Sequence, residues 1–116
     1  MQQNTNIVDL YKSLCAQQDA LSVKIQNETD PKLADAYSTE NYEIMHRIVL
    51  TQSLLFQSDS AALQKSVQAV KTADGQLQSG LAKIKTAVDV VNAVSGYLSY
   101  VDQAIDLAKT LAPLAA

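Results

Sequence analysis

The apolar residues of this chain recur at alternating spacings of three and four along most of its length. This spacing places them on one side of an α-helix, whereas a half-buried β-strand would need strict alternation. In the first helical segment the repeating positions are Ile7, Tyr11, Leu14, Gln18, Leu21 and Ile25. Such a stripe is stable in water when it lies against another helix. The sequence therefore predicts an all-α protein whose helices pack lengthwise.

Start signals divide the chain into helices. Asn4 or Asn6 can cap the first helix, and Asp30 with Pro31 marks the start of the second. Aspartate accepts hydrogen bonds from free amides at the cap, and proline needs no amide partner at the first helical position. The polar run 58–60 supplies caps for a third helix. We expect helices at about residues 5–28, 31–57, 60–94 and 96–112.

The third apolar stripe keeps one phase from Leu63 to Val91, across both Gly75 and Gly80. A glycine within a helix costs about 1 kcal/mol relative to alanine, which packing of the stripe can offset. We therefore expect an unbroken helix at these two glycines. The phase then shifts at Ser95–Gly96, which predicts a kink, a turn or a change of packing partner there.

An unbroken helix from residue 60 to 112 would be about 80 Å long, and half of it would lack a partner within the chain. Either the chain folds back near Gly75, Gly80 or Gly96, or a second copy covers the excess stripe. The expected fold is one domain spanning 1–116, an elongated antiparallel bundle of three long helices, or of four if the third is broken. Pro113 should end the regular structure and leave 114–116 as a tail.

Several polar and aromatic residues near these stripes are open to more than one interpretation. Asp74 falls on the third stripe, where it forms either a register-fixing polar layer or an exposed kink, and we favour the kink. Tyr97 and Tyr100 flank Gly96, and we favour the edge of the core over a membrane interface. Ser99 and Asp102 have the form of a capping box, which favours a helix start beyond Gly96.

Charge and composition exclude several classes of function. The formal net charge is −3, so the chain lacks the basic surface that nucleic-acid binding requires. The most apolar stretch, Leu81–Val101, is interrupted by charged and polar residues, which argues against stable membrane insertion. Cys15 is the single cysteine, so no intrachain disulfide points to an oxidising compartment. Residues 1–6 do not have the form of a signal peptide, which favours the cytoplasm while leaving Sec-independent export open.

No set of residues has the pattern of a catalytic or metal site. Cys15 has no base near it in the sequence, so we interpret it as a small buried hydrophobe. Glu43 and His46 have the Glu-x-x-His spacing of di-iron bundles, but a dinuclear site needs a second such motif and His46 is the one histidine. We expect His46 to be exposed and Arg47 to pair with Glu40 or Glu43. The sequence predicts neither an enzyme nor a cofactor.

Residues 44–56 of the second helix are apolar around nearly the whole circumference, which is typical of a helix covered on more than one side. The predicted function is a non-enzymatic interaction or assembly module, acting as an adaptor, an immunity-like inhibitor or an oligomer subunit. Its partner would be another protein or a second copy, most simply in a dimer. The candidate interface residues are Ile44, Val49, Leu50, Leu54, Phe56, Val88, Val91, Val94, Leu98, Val101 and Ile105.

An alternative function belongs to another class. The Ala-, Gln- and Ser-rich helices with a glycine-containing apolar segment resemble in composition the secreted bacterial helical toxins and translocators, without a shared motif. This resemblance implies a membrane-active or secreted protein that is soluble at rest and exposes residues 81–101 on a trigger.

Overall fold

The computed structural model describes residues 2–113, which form four helices and no named β-strand. The helices are α1 (Thr5–Asn27), α2 (Pro31–Gln52), α3 (Ala61–Leu81) and α4 (Ala87–Lys109). The predicted all-α bundle is confirmed, with the third predicted helix divided in two. The tail expected at 114–116 lies outside the described residues.

Three of the helices begin at the caps that the sequence indicates. The side chain of Asn4 accepts hydrogen bonds from two amides in the first turn of α1. Asp30 caps α2, whose first residue is Pro31, and Ser60 caps α3. These side chains satisfy amides that have no partner within their own helix. Helix α2 ends at Gln52 rather than near residue 57, because the chain turns there toward α3.

The break between α3 and α4 lies at residues 82–86, and the break predicted at Ser95–Gly96 is wrong. A capping box fixes the start of α4: the amide of Asp89 donates to the Thr86 hydroxyl at 3.2 Å, and the Asp89 carboxylate accepts from the Thr86 amide at 3.1 Å. Backbone hydrogen bonds lower the pKa of the Asp89 carboxyl. Helix α4 continues through the exposed Gly96, as α3 continues through Gly75.

The break also changes which valines face the core. The continuous stripe predicted Val88 and Val91 as buried positions, but these side chains are 65% and 42% exposed. Val90 and Val94 are buried instead. Because a new helix begins after the loop, the phase of α4 is independent of the phase of α3.

Each helix packs against two neighbours, in the cyclic order α1, α2, α4, α3. The Asn4 amide donates to the Leu55 carbonyl at 2.7 Å, and the Ser58 amide donates to the Ala112 carbonyl at 2.7 Å. These bonds bring the start of α1 to the ends of α2 and α4. Consecutive helices are therefore antiparallel, and the α2–α3 connection crosses the bundle diagonally. The Cα atoms extend over 50 × 20 × 16 Å, so the chain folds back on itself rather than forming an 80 Å rod.

A continuous apolar core runs along the bundle. Burial of each large aliphatic side chain stabilises the fold by about 1.5–3 kcal/mol. Tyr97 belongs to this core rather than to its edge, whereas Tyr100 is partly exposed. The fully buried members of the core include Ile7, Leu10, Leu14, Leu21, Ile44, Leu63, Val67, Val70, Val90, Val94 and Val101.

Polar side chains meet in the middle of this core. Gln17 is fully buried and donates through Nε2 to the Asp74 carboxylate, while the Ser13 and Tyr97 hydroxyls lie 2.7 Å apart. The interpretation of Asp74 as an exposed kink is wrong, because α3 is unbroken there and the side chain is half-buried. A bond between buried polar groups is lost if the helices slide, so this layer favours one register.

Candidate interaction surface

With one exception, the predicted interface residues form a buried group and an exposed group in the structure. Leu50 is intermediate, being partly buried against the core. The buried group, already covered by neighbouring helices, is Ile44, Leu54, Val94, Leu98, Val101 and Ile105. The exposed group is Val49, Phe56, Val88 and Val91.

Four of the exposed large apolar side chains lie on or just beyond α2, on the side opposite its buried residues. They are Tyr42, Met45 and Val49 on α2, at sequence spacings of three and four, together with Phe56 in the turn that follows α2, and we call these four residues the outer stripe. Tyr42 is 71% exposed and Val49 is 63% exposed. Contiguous apolar surface on a water-soluble helix marks an interaction site more often than isolated exposed residues do.

The outer stripe is exposed because α2 carries apolar residues on two opposite sides. Its inner side packs into the core through Tyr37, Ile44 and Ile48, against α1 and α4. No described helix covers the other side. The sequence pattern of residues 44–56 indicates that neighbours cover the helix on more than one side. Within residues 2–113, other helices cover its inner side only.

The charged residues on the side of α2 that faces α4, away from the outer stripe, are paired within the chain. The Arg47 guanidinium donates from Nε to Asp102 Oδ1 at 3.0 Å and also pairs with Glu43. The hydrogen bonds that the guanidinium donates to Asp102 are the main reason that the pKa of Arg47 is raised. His46 is exposed next to Val49, as predicted. The outer stripe thus has a polar edge and an uncharged apolar centre.

The residues considered for chemistry are not brought together. Cys15 packs against the core from α1, whereas His46 is exposed on α2. In the described range, no three His, Cys, Asp or Glu side chains converge in a way that could hold a metal ion.

The segment 81–101 forms the end of α3, the loop and the first half of α4. Val88 and Val91 are exposed near the start of α4. No helix within residues 2–113 combines the length and the apolar character needed to cross a membrane. Six side chains of segment 81–101 are buried in the core: Leu81, Val90, Val94, Tyr97, Leu98 and Val101.

Two members of the outer stripe, Tyr42 and Met45, are absent from the predicted interface. The signal for them is present, because the spacings that connect them to Val49 are helical and their positions lie opposite the buried Ile44 and Ile48. The buried state of Glu40 has no comparable signal, because it depends on α4, which is distant in the sequence.

The fold and its surfaces define an antiparallel four-helix bundle, over residues 2–113, with an exposed apolar stripe on α2. The chain matches no protein-family model, no curated protein and no solved structure. Its own geometry is therefore the basis for assigning a function.

Proposed function

We propose that the protein is a non-enzymatic assembly module, an oligomer subunit whose outer stripe pairs with the outer stripe of a second copy. The observation that carries this proposal is the exposure of Tyr42, Met45 and Val49 on one side of α2 and of Phe56 just beyond its end. A second copy is the occupant that fits best, because the stripe is complementary to itself.

The self-complementarity follows from the positions of the four residues. When two α2 helices pack antiparallel about a two-fold axis at Val49, the two Val49 side chains meet, and Tyr42 of each copy points toward the turn after Gln52 of the other, which carries Phe56. Residues three and four apart supply the ridges for such packing. Contacts of this kind are isologous, which is the usual form of a closed dimer.

Charge also supports pairing between identical copies. Arg47 and Glu43 pair with each other in the groove that faces α4, so neither brings a charge to the axis at Val49. Like charges across an interface would oppose pairing of two identical surfaces. Because Met45, Val49 and Phe56 of the outer stripe carry no charge, pairing two copies of the stripe avoids that repulsion.

The area predicts a weak dimer. Aromatic side chains bury about 150–250 Å² each, so the exposed fractions of the outer stripe correspond to roughly 400 Å² per copy. Two copies would bury about 800 Å² from the stripe alone, which is below the roughly 1,200–2,000 Å² of a stable specific interface and in the range of weak, transient contacts. Contacts from the rim residues His46 and Gln52 would add to this area. We therefore expect a concentration-dependent equilibrium between monomer and dimer.

Sedimentation equilibrium over a wide concentration range tests the proposal, with two matched variants. Val49→Glu places two carboxylates against each other on the axis and should abolish the dimer. Val88→Glu makes the same change at an equally exposed valine on α4, 65% against 63%, and should leave the dimer intact. Mixing Val49→Glu with Val49→Lys should restore association between the two variants. A wild-type chain that stays monomeric throughout, or a Val88→Glu variant that is equally impaired, refutes the proposal.

The membrane-active alternative has one supporting observation, the exposure of Val88 and Val91 beside the 82–86 loop. Exposing the rest of segment 81–101 would require α4 to leave the core, because six of its side chains are buried there. A dye-release assay on anionic vesicles from acidic to neutral pH tests this alternative. Vesicles that stay intact at every pH rule it out.

A further inference from the structure

A polar cavity of about 350 Å³ lies in the groove between α2 and α4. Its charged residues are three carboxylates and one guanidinium, so its formal charge is −2 when all are ionised. Its eight lining residues are Thr39, Glu40, Glu43, Arg47, Ser95, Leu98, Ser99 and Asp102.

One of these carboxylates has no partner. Glu40 is 7% exposed, and its carboxylate makes no hydrogen bond or ion pair with any residue between 2 and 113. Glu43 and Asp102 both pair with Arg47, which holds Asp102 through Nε at 3.0 Å and Nη2 at 3.2 Å. Of the two predicted partners of Arg47, Glu43 forms the ion pair and Glu40 does not.

Partial loss of solvation makes the unpaired charge of Glu40 unfavourable, although its carboxylate oxygens still contact the water of the open groove. Burial is the largest cause of the raised pKa of Glu40, the charge of Glu43 also raises it, and Arg47 partly opposes them. A positively charged group beside Glu40 would remove this cost. The net negative charge of the cavity likewise favours a cation over an anion.

The surroundings select the kind of cation. Within the described chain no three carboxylate, thiolate or imidazole groups converge to hold a metal ion, although Glu40, Glu43 and Asp102 share one cavity. An ammonium group donates three hydrogen bonds, and the cavity offers acceptors of two kinds: the Glu40 carboxylate and hydroxyl oxygens such as that of Thr39. Leu98 supplies an apolar wall along which methylene groups can lie.

We propose that the cavity between α2 and α4 binds a primary ammonium group on a short alkyl chain, with Glu40 as its counter-ion. Two sources share this chemistry, a free diamine and the lysine side chain of a second protein. The site lies on the side of α2 that faces α4, and it is independent of the outer stripe.

Titrations followed by amide chemical shifts in the folded chain test this proposal. The probes are putrescine for a free diamine and N-acetyl-lysinamide for a lysine side chain, with tetramethylammonium as a cation that donates no N–H hydrogen bond. We expect at least one ammonium probe to shift the amides of cavity residues, and tetramethylammonium to leave them unchanged. The ammonium probe that binds more tightly shows whether the site takes a free diamine or a lysine side chain.

Glu40→Gln keeps the shape of the side chain and removes its charge. It should therefore lower the affinity for the ammonium probe by about tenfold or more, as loss of one member of a charge pair does. Asp35→Asn removes an exposed carboxylate of α2 outside the cavity and should change the affinity less than about twofold, because exposed charges are screened. Unchanged far-UV circular dichroism in both variants excludes unfolding as the cause. Failure of both ammonium probes to bind, equal weakening by the two substitutions, or equal binding of tetramethylammonium overturns the proposal.

Discussion

The hydrogen bond between Ser13 and Tyr97 connects α1 to α4 across the centre of the bundle and offers a sharp test of the fold. The two hydroxyl oxygens lie 2.7 Å apart, and the residues are only 8% and 2% exposed. Leaving a buried polar group without its partner costs about 1–3 kcal/mol. We expect Tyr97→Phe and Ser13→Ala each to lower the free energy of unfolding by about 1.5 kcal/mol. The double variant should lose about 2 kcal/mol rather than 3, because the second substitution removes the group that the first leaves unpaired.

Urea denaturation of the four proteins, followed by far-UV circular dichroism, measures this coupling. The exposed Tyr100 provides the control, since Tyr100→Phe should change the free energy of unfolding by less than about 0.5 kcal/mol. Burial also raises the pKa of Tyr97. The wild type should therefore contain a phenol that resists ionisation in an alkaline absorbance titration, and Tyr97→Phe should lack it. Losses that add to within about 0.3 kcal/mol would show that the two hydroxyls are not coupled and would refute the contact between Ser13 and Tyr97 across the centre of the bundle.

Three further predictions concern stability. Because the folded state holds the Glu40 proton more tightly than the unfolded state, stability falls as pH rises through the range between the two pKa values. Glu40→Gln should therefore be more stable than the wild type at neutral pH, and the difference should disappear in acid, where Glu40 is protonated in both states, in urea titrations at several pH values. Thr86→Ala removes a cap of α4 and should cost about 1 kcal/mol, with faster amide hydrogen exchange in the first turn of α4. Leu14→Ala in the fully buried core should cost about 2–5 kcal/mol by urea denaturation, whereas Val88→Ala should cost less than about 0.5 kcal/mol.

Much of the fold is predictable because its signals are local. Asn4, Asp30 and Ser60 act as caps within the turns that they begin, so a short stretch of sequence identifies each helix start. The pairing of Glu43 with Arg47 is local too, since both are on one side of the same helix. The contact between Arg47 and Asp102 joins residues in different helices, and no periodicity indicates it.

The end of α3 shows where apolar periodicity is ambiguous. Valines at 88, 90, 91 and 94 allow two helical stripes, one through Val88 and Val91 and another through Val90 and Val94. The first continues the phase of α3, and the second is the one that the core buries. Thr86 with Asp89 and Ser99 with Asp102 have the same capping form, so caps alone do not decide between them. Packing of α4 against both α2 and α3 selects the second stripe.

The candidate site was predictable in part, for a related reason. A sequence shows that residues 44–56 are apolar on more than one side, but it does not show which side the bundle will cover. The core takes Ile44 and Ile48, so Val49 and Phe56 remain exposed and Tyr42 and Met45 join them. The cavity next to Glu40 was not predictable, because half of its wall belongs to α4.

The two proposed sites use different sides of one well-anchored helix, which makes each of them testable without loss of the fold. Asp30 caps α2 at its start, and the Leu55 carbonyl just beyond its end accepts the Asn4 amide. Its buried side is fixed by fully buried residues such as Ile44, whereas Val49 on the outer stripe is mostly exposed. A charge at Val49 therefore opposes pairing of two copies but leaves the core contacts in place. The ammonium cavity faces α4 instead, so the Val49→Glu variant should lose the dimer and still respond to the ammonium probe. Loss of both properties in that variant would mean that the two sides of α2 do not act independently.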